Sequence, residues 1–263
     1  MKYLRIFLLN FQYVFAHPSK IFVWFLVVII APLANMIFWI AAISTNRNIG
    51  FTTSFITSYY LLQIFFSTLL MWHRENDVGR EDIQGGYLSQ YLLKPFSYFW
   101  INFFKEFPYR IIEGFFGFAV LIIFFTFFER FIKITQDPII FIGSIILAIL
   151  GSAISFIFKM NLGLTAFWTT DTHGTFGYVD ILIIIFAGYI MPISLFPYWL
   201  QQIAYILPFS YMIYFPVIAF QGGLSSSEIM RVIATQSVWL VALTICYKIM
   251  WKQGLRKFTA LGQ

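Results

Sequence analysis

"HRENDVGREDIQGGYLSQYLLKPFSYFWINFFKEFPYR", residues His73 to Arg110, carries ten of the 28 Asp, Glu, Lys and Arg residues of a chain that is 60% hydrophobic. On both sides of it lie apolar runs of about 20 residues, the length that crosses roughly 30 Å of hydrocarbon. A charged interlude between such runs reads as a loop joining membrane spans. Mean hydropathy of +0.81, with 22% aromatic and 11% charged residues, lies well outside soluble composition. The sequence therefore reads as an all-α polytopic membrane protein with six transmembrane helices. The expected spans are about Ile21–Ile43, Phe51–Trp72, Ile111–Phe128, Ile139–Phe158 (continuing as helix toward Trp168), Tyr178–Pro192 and Glu228–Trp251.

Lys and Arg set the orientation. With the N-terminus inside, the outer segments hold Arg47, Arg130, Lys133 and Arg231, and the other 13 of the 17 cations fall inside. Both termini and the interlude 73–110 are thus expected on the cytoplasmic side. Residues 1–18 are too broken to span. Lys2, Arg5 and Gln12 fall near one helical stripe and Leu4, Phe7, Leu8, Phe11 and Phe15 around the other, the pattern of a helix lying flat at the interface. His17-Pro18 would end it. Gln12, His17 and Pro18, and the lack of a small-x-small site, speak against a cleaved signal peptide.

On the outer side the segments are short, except for residues 192–227. This segment is too apolar for a solvated loop, yet Pro192, Pro197, Pro208 and Pro216 interrupt any continuous span. Short apolar pieces cut by prolines read as re-entrant or interfacial helices packed on protein or lining a cavity.

Within the interlude, Ile83, Tyr87, Leu88, Tyr91 and Leu92 recur at helical spacing. Asp82 is placed to cap such a helix, Glu81 adds charge favourable to its positive end, and Pro95 ends it. Gly85 and Gly86 each cost about 1 kcal/mol in a helix, which points to a close backbone approach or a less regular turn there. The expected object is a short amphipathic helix at the cytoplasmic surface. Further on, Glu106, Arg110 and Glu113 share one helix face as a structural ion pair, with a proton-relay acid as the functional alternative.

Other chemistries find little support. No G-x-x-x-x-G-K-[ST] cradle for phosphate occurs. His17, His73 and His173 are far apart and lack spaced acid or thiol partners, so no metal site is expected, and Asp171-Thr172-His173 reads as a solvated turn. The lone Cys246 excludes an intramolecular disulfide and reads as a small apolar residue in a span. A net charge of +6 is accounted for by its placement at the membrane and implies no nucleic acid. The Phe-rich spans suit lipid contact and packing, or a lining for hydrophobic substrates.

The run G-x-L-x-x-x-L-L-x-P, here Gly86, Leu88, Leu92, Leu93 and Pro95, resembles the permease subunits of ABC-2-type ATP-binding-cassette exporters. So do the six-span layout and the Pro192, Pro197, Pro208 series in "GYIMPISLFPYWLQQIAYILPFSYMIYFPVIAFQGG". The resemblance covers almost the whole chain, as a single transmembrane domain over 1–263. It implies an interfacial N-terminal helix and a coupling helix in the loop 73–110 that docks on a separate ATPase. It also implies a transport path shared with a second permease chain, identical or related, and an outer mouth shaped by the segment 192–227. In that frame Ile83, Tyr87, Leu88 and Tyr91 supply a rigid apolar docking face, beside Gly86 of the motif, and Arg80, Glu81, Asp82 and Gln84 fix its register. The chain itself would bind no cofactor, with ATP and Mg on the partner, in a bacterial cytoplasmic membrane. Two rival readings remain: an ion-coupled secondary transporter or channel acting alone, and a lipid-directed membrane enzyme, for which no Asp, His or Ser cluster is found.

Overall fold

In hydrocarbon every backbone N–H and C=O must be satisfied within the protein, and a chain made of apolar runs meets that demand by coiling each run into a helix. The computed structural model describes residues 2–16, 18–45, 51–128 and 132–258, and among them the regular structure is all helical, with no strand. The helices are α1 (Lys2–Ala16), α2 (Pro18–Thr45), α3 (Thr53–Leu70), α4 (Leu88–Leu92), α5 (Tyr98–Phe128), α6 (Pro138–Leu164), α7 (Thr172–Phe186), α8 (Tyr198–Ile206), α9 (Tyr214–Phe220) and α10 (Ser226–Lys257). A π-helical turn, Asp77–Gln84, precedes α4. His17, Arg47 and Arg130 lie outside the described residues.

Four of these helices, α3, α5, α6 and α10, are long and apolar enough to cross a membrane. The stretch Ile29–Thr45 of α2 and the whole of α7 are apolar but shorter. α7 begins six residues before the expected fifth span and stops at Phe186, so its 15 residues rise about 22 Å, less than the hydrocarbon thickness. The expected third span is the C-terminal part of a longer rod, since α5 starts at Tyr98 and runs through Pro108 without a break.

α3, α6, α7 and α10 start where the sequence supplies a side-chain cap, from Thr52, Asp137, Asp171 and Ser225. Asp137 accepts from the amides of Ile139 and Ile140 ahead of Pro138, and Ser225 with Glu228 forms a reciprocal capping box at the start of α10. α6 is the central post and packs on α10, α9 and α3. Polar side chains fix this packing: Gln236 Nε2 donates to the carbonyls of Leu147 (3.0 Å) and Tyr211 (2.9 Å), and Asn161 Nδ2 donates to Leu243 (3.0 Å). α1 lies along the first half of α5, with Tyr3 stacked on Phe104 and Phe7 against Phe107, while Leu4, Leu8 and Phe15 face outward.

Between α7 and α10 the chain is irregular. Past Gly188, which takes φ +85°, it passes through short helical turns to α8, and the pair α8 plus 209–220 is bent by 76°. Non-helical carbonyls packed inside protein need donors. Tyr59 Oη (2.8 Å) and Gln63 Nε2 (3.1 Å) serve Gly188, Asn35 Nδ2 (3.1 Å) serves Tyr189, and Tyr60 Oη (2.6 Å) and Trp39 Nε1 (3.3 Å) serve Ile190. α2 and α3 thus carry the polar groups that make the break tolerable.

Candidate coupling site and its charged collar

The spacing of Ile83 to Leu92 predicts one helix capped by Asp82. The structure breaks that helix in two. Asp77–Gln84 is a π-helical turn, Gly86 takes φ +78°, and α4 begins only at Leu88. Gly86 has no Cβ to oppose the left-handed backbone, so the pair of glycines marks a reversal. Asp82 is no cap: it is buried and accepts from Tyr98 Oη at 2.6 Å. Burial raises its pKa above the ordinary carboxylate value, with the Tyr98 hydrogen bond pulling the other way.

The break sorts the side chains. Ile83 and Leu88 turn into the protein, whereas Tyr87 (56% exposed), Leu92 (45%) and Leu93 (87%) stand outward with Arg80 and Glu81 beside them. Tyr91 is half-buried, with Lys105 Nζ 4.6 Å and Lys94 Nζ 5.4 Å from its ring centroid, cation–π distances. Beneath α4 and against α10 lies a groove of about 310 Å³, bounded by Tyr91, Leu92, Lys94, Tyr98, Tyr247 and Trp251.

This exposed knuckle is fastened from below. A Cβ on Gly163 of α6 would stand 2.7 Å from the Val78 side chain, so the π-turn rests directly on the α6 backbone. Gln84 Nε2 donates to the carbonyls of Thr169 (3.1 Å) and Thr170 (3.0 Å), and Thr172 Oγ1 donates to Gln84 Oε1 (3.2 Å). A force on Tyr87 or Leu93 is therefore passed to the corner between α6 and α7.

A collar of ion pairs surrounds the base of the knuckle. Arg110 lies 3.2 Å from Glu106 and 2.9 Å from Glu113, and its guanidinium also donates to the carbonyl of Met71 at the end of α3. Arg74 pairs with Asp77, donates to Asn102 Oδ1 at 2.9 Å and lies 3.8 Å from Glu106. Burial opposes the Arg74 charge, but Asp77 and Glu106 outweigh it and raise the pKa. A second node went unread in the sequence: Lys159 of α6, 2% exposed, lies 2.8 Å from Glu75 and 2.7 Å from Asp180 of α7. Burial raises the pKa of Glu75, and Lys159 counters it. The signal was present, since Glu75, Lys159 and Asp180 each sit at one end of an apolar run, all on the same expected side.

Residues 20–262 match the family model described as ABC-2 family transporter protein. The chain belongs to that family. No curated protein and no solved structure matches it. It is thus a multi-pass membrane permease of an ABC transporter, and the knuckle at Arg80–Leu93 is a feature of an ABC-2 permease. Pro192, Pro197, Pro208 and Pro216 stand at the other end of the bundle, flanking the short turns between α7 and α10. Pro197 and Pro208 directly precede α8 and the turn Phe209–Tyr211, and Pro216 lies in the first turn of α9, where a missing N–H is tolerated. Among the described residues no group of His, Cys, Asp or Glu has the arrangement of a metal site.

Proposed function

We propose that this ABC-2 permease is the membrane-spanning half of an ATP-driven exporter, crossing the membrane six times with both termini in the cytoplasm of a bacterial cell. It pairs with a second permease chain to form the path, and a separate ATPase, which binds the ATP and Mg, docks on the loop 73–110. In this reading α2 and α7 complete the six spans, and the bent segment 192–227 is re-entrant at the outer mouth. The observation that carries the reading is the exposed trio Tyr87, Leu92 and Leu93, with Arg80 and Glu81 alongside, on a turn fastened to α6 and α7 through Gly163 and Gln84. Apolar anchors with charged flanks suit docking, and the rigid mount suits transmission. ATP-driven closure of the ATPase pair then moves the knuckle and, with it, the α6–α7 corner as a rigid body.

An ion-coupled carrier acting alone requires an acid free to exchange its cation. Here Glu75 and Asp180 share Lys159, while Asp77, Glu106 and Glu113 share Arg74 and Arg110, which favours structural pairing. The test is co-purification of the ATPase with variants of the knuckle. Tyr87→Ala with Leu93→Asp is expected to reduce the bound ATPase at least tenfold while membrane insertion and monodispersity stay unchanged. Undiminished association would contradict the assignment.

A further inference from the structure

At the end of the bundle opposite the knuckle, a cavity of about 470 Å³ opens between the start of α3, the turns after α7 and the start of α10. That volume is in the range of small-molecule sites. Its walls are aromatic: Phe51 and Phe55 from the α3 side, Tyr205 of α8, Tyr211 of the turn after it, and Tyr214 and Phe215 of α9. Tyr211 and Tyr214 are buried, and Tyr211 and Phe215 stack at 4.8 Å, so the inner part is an apolar compartment with fixed rings. The rim is different. It is formed by the first turns of α10, where Glu228 and Arg231 are both exposed.

These two charges lie three residues apart on one helix, the spacing of an ion pair, yet no carboxylate among the described residues lies within pairing distance of Arg231. The reason is local. Glu228 turns back to the helix start, where its Oε2 accepts from the Ser225 amide (2.8 Å) and hydroxyl (2.7 Å). The capping box takes the carboxylate, and Arg231 stays exposed at the mouth of an aromatic cavity with no ion pair among the described residues. Arg presents a planar fork of donors that matches carboxylate and phosphate oxygens.

We propose that this cavity binds an amphiphile with an acidic head group, one acyl chain lying among the aromatic rings and the head on Arg231. The binding claim stands apart from ATPase coupling; only the reading of the occupant as cargo rests on the transport function proposed above. Two sources supply this chemistry, an anionic membrane lipid and a free amphiphilic acid.

The test uses the full chain in phosphatidylcholine nanodiscs, titrated with dodecanoate, methyl dodecanoate and dodecyltrimethylammonium and read by displacement of a fluorescent fatty acid. Dodecanoate is expected to saturate one site and to bind more tightly than the ester or the cation. Arg231→Gln should weaken dodecanoate about tenfold, the effect of losing one charge-assisted hydrogen-bonding group, and leave the ester unchanged. Arg231→Lys should keep most of the affinity. Phosphatidylglycerol in the disc that competes with dodecanoate identifies a membrane lipid as the occupant, and lack of competition identifies the free acid. Partition without saturation, equal binding of the ester or the ammonium, or an Arg231→Gln variant with unchanged dodecanoate affinity would each overturn the proposal.

Discussion

Lys159 is the residue on which the collar depends most. Its ammonium is the counter-charge within 3 Å of Glu75, a carboxylate that is itself 2% exposed. Removing one partner of a buried pair leaves the other charge uncompensated, at a cost of ~3–5 kcal/mol. Lys159→Met should lower the unfolding free energy in detergent by about that amount, and adding Glu75→Gln should recover part of it. A double variant as unstable as the single one would show that Glu75 is not the group left stranded.

Asp82 makes a different prediction. Its folded pKa is raised by burial from an ordinary value of 3.8, so between those two values the folded state holds more protons than the unfolded one. Stability contributed by this group is then full at low pH and falls as pH rises through that window. Asp82→Asn keeps an acceptor for Tyr98 Oη and removes the titration. The variant's melting temperature should lose less between pH 4 and pH 7 than the parent's, and parallel pH profiles would assign the fall to another group.

At the scale of elements, the link between the knuckle and the α6–α7 corner is the claim that matters. If Gln84 and Thr170 move together through the cycle, tying them with a short thiol crosslinker (Gln84→Cys, Thr170→Cys, Cys246→Ser) should leave ATP hydrolysis by the assembled complex intact. A crosslink that stops hydrolysis would mean that the two separate during turnover.

How far these elements were legible in the sequence follows from the range of the forces involved. The apolar runs, the charged interlude and the proline-cut segment 192–227 are statements about composition over ten to twenty residues, and they carried the helical membrane fold and pointed to the candidate site. The break at Gly86 was half legible. Two glycines announced an irregular turn, but the helical spacing of Ile83 to Leu92 also fitted a continuous rod. Nothing local distinguishes the two until Val78 meets Gly163 and Asp82 meets Tyr98. The donors that serve residues 188–190 were not legible at all. Asn35, Trp39, Tyr59, Tyr60 and Gln63 lie 125 to 154 residues away and look like ordinary members of spans. The short α7 has the same cause, since distant side chains take over the carbonyls just past its end.

At the scale of the whole molecule, the two ends of the bundle differ in kind. One gathers eight ionic side chains into paired clusters under an exposed apolar knuckle. The other has short proline-started turns around an aromatic cavity with an exposed Arg231 at its rim. α6 joins them, touching the π-turn near Gly163 and the turns before α9 near Gly151, where a Cβ would stand 2.7 Å from the Tyr211 carbonyl. A movement imposed on the knuckle thus has one continuous element through which to reach the opposite end, as the proposed ATP-driven coupling requires.

The most direct measurement places a photo-crosslinking amino acid at position 87, irradiates native membranes and identifies what is captured by an affinity-tagged chain. The account predicts a single protein adduct carrying a Walker-type nucleotide-binding motif, lost when the crosslinker is moved to the inward-facing position 88. Capture of lipid alone, with the chain purifying free of any ATPase after gentle solubilisation, would contradict it.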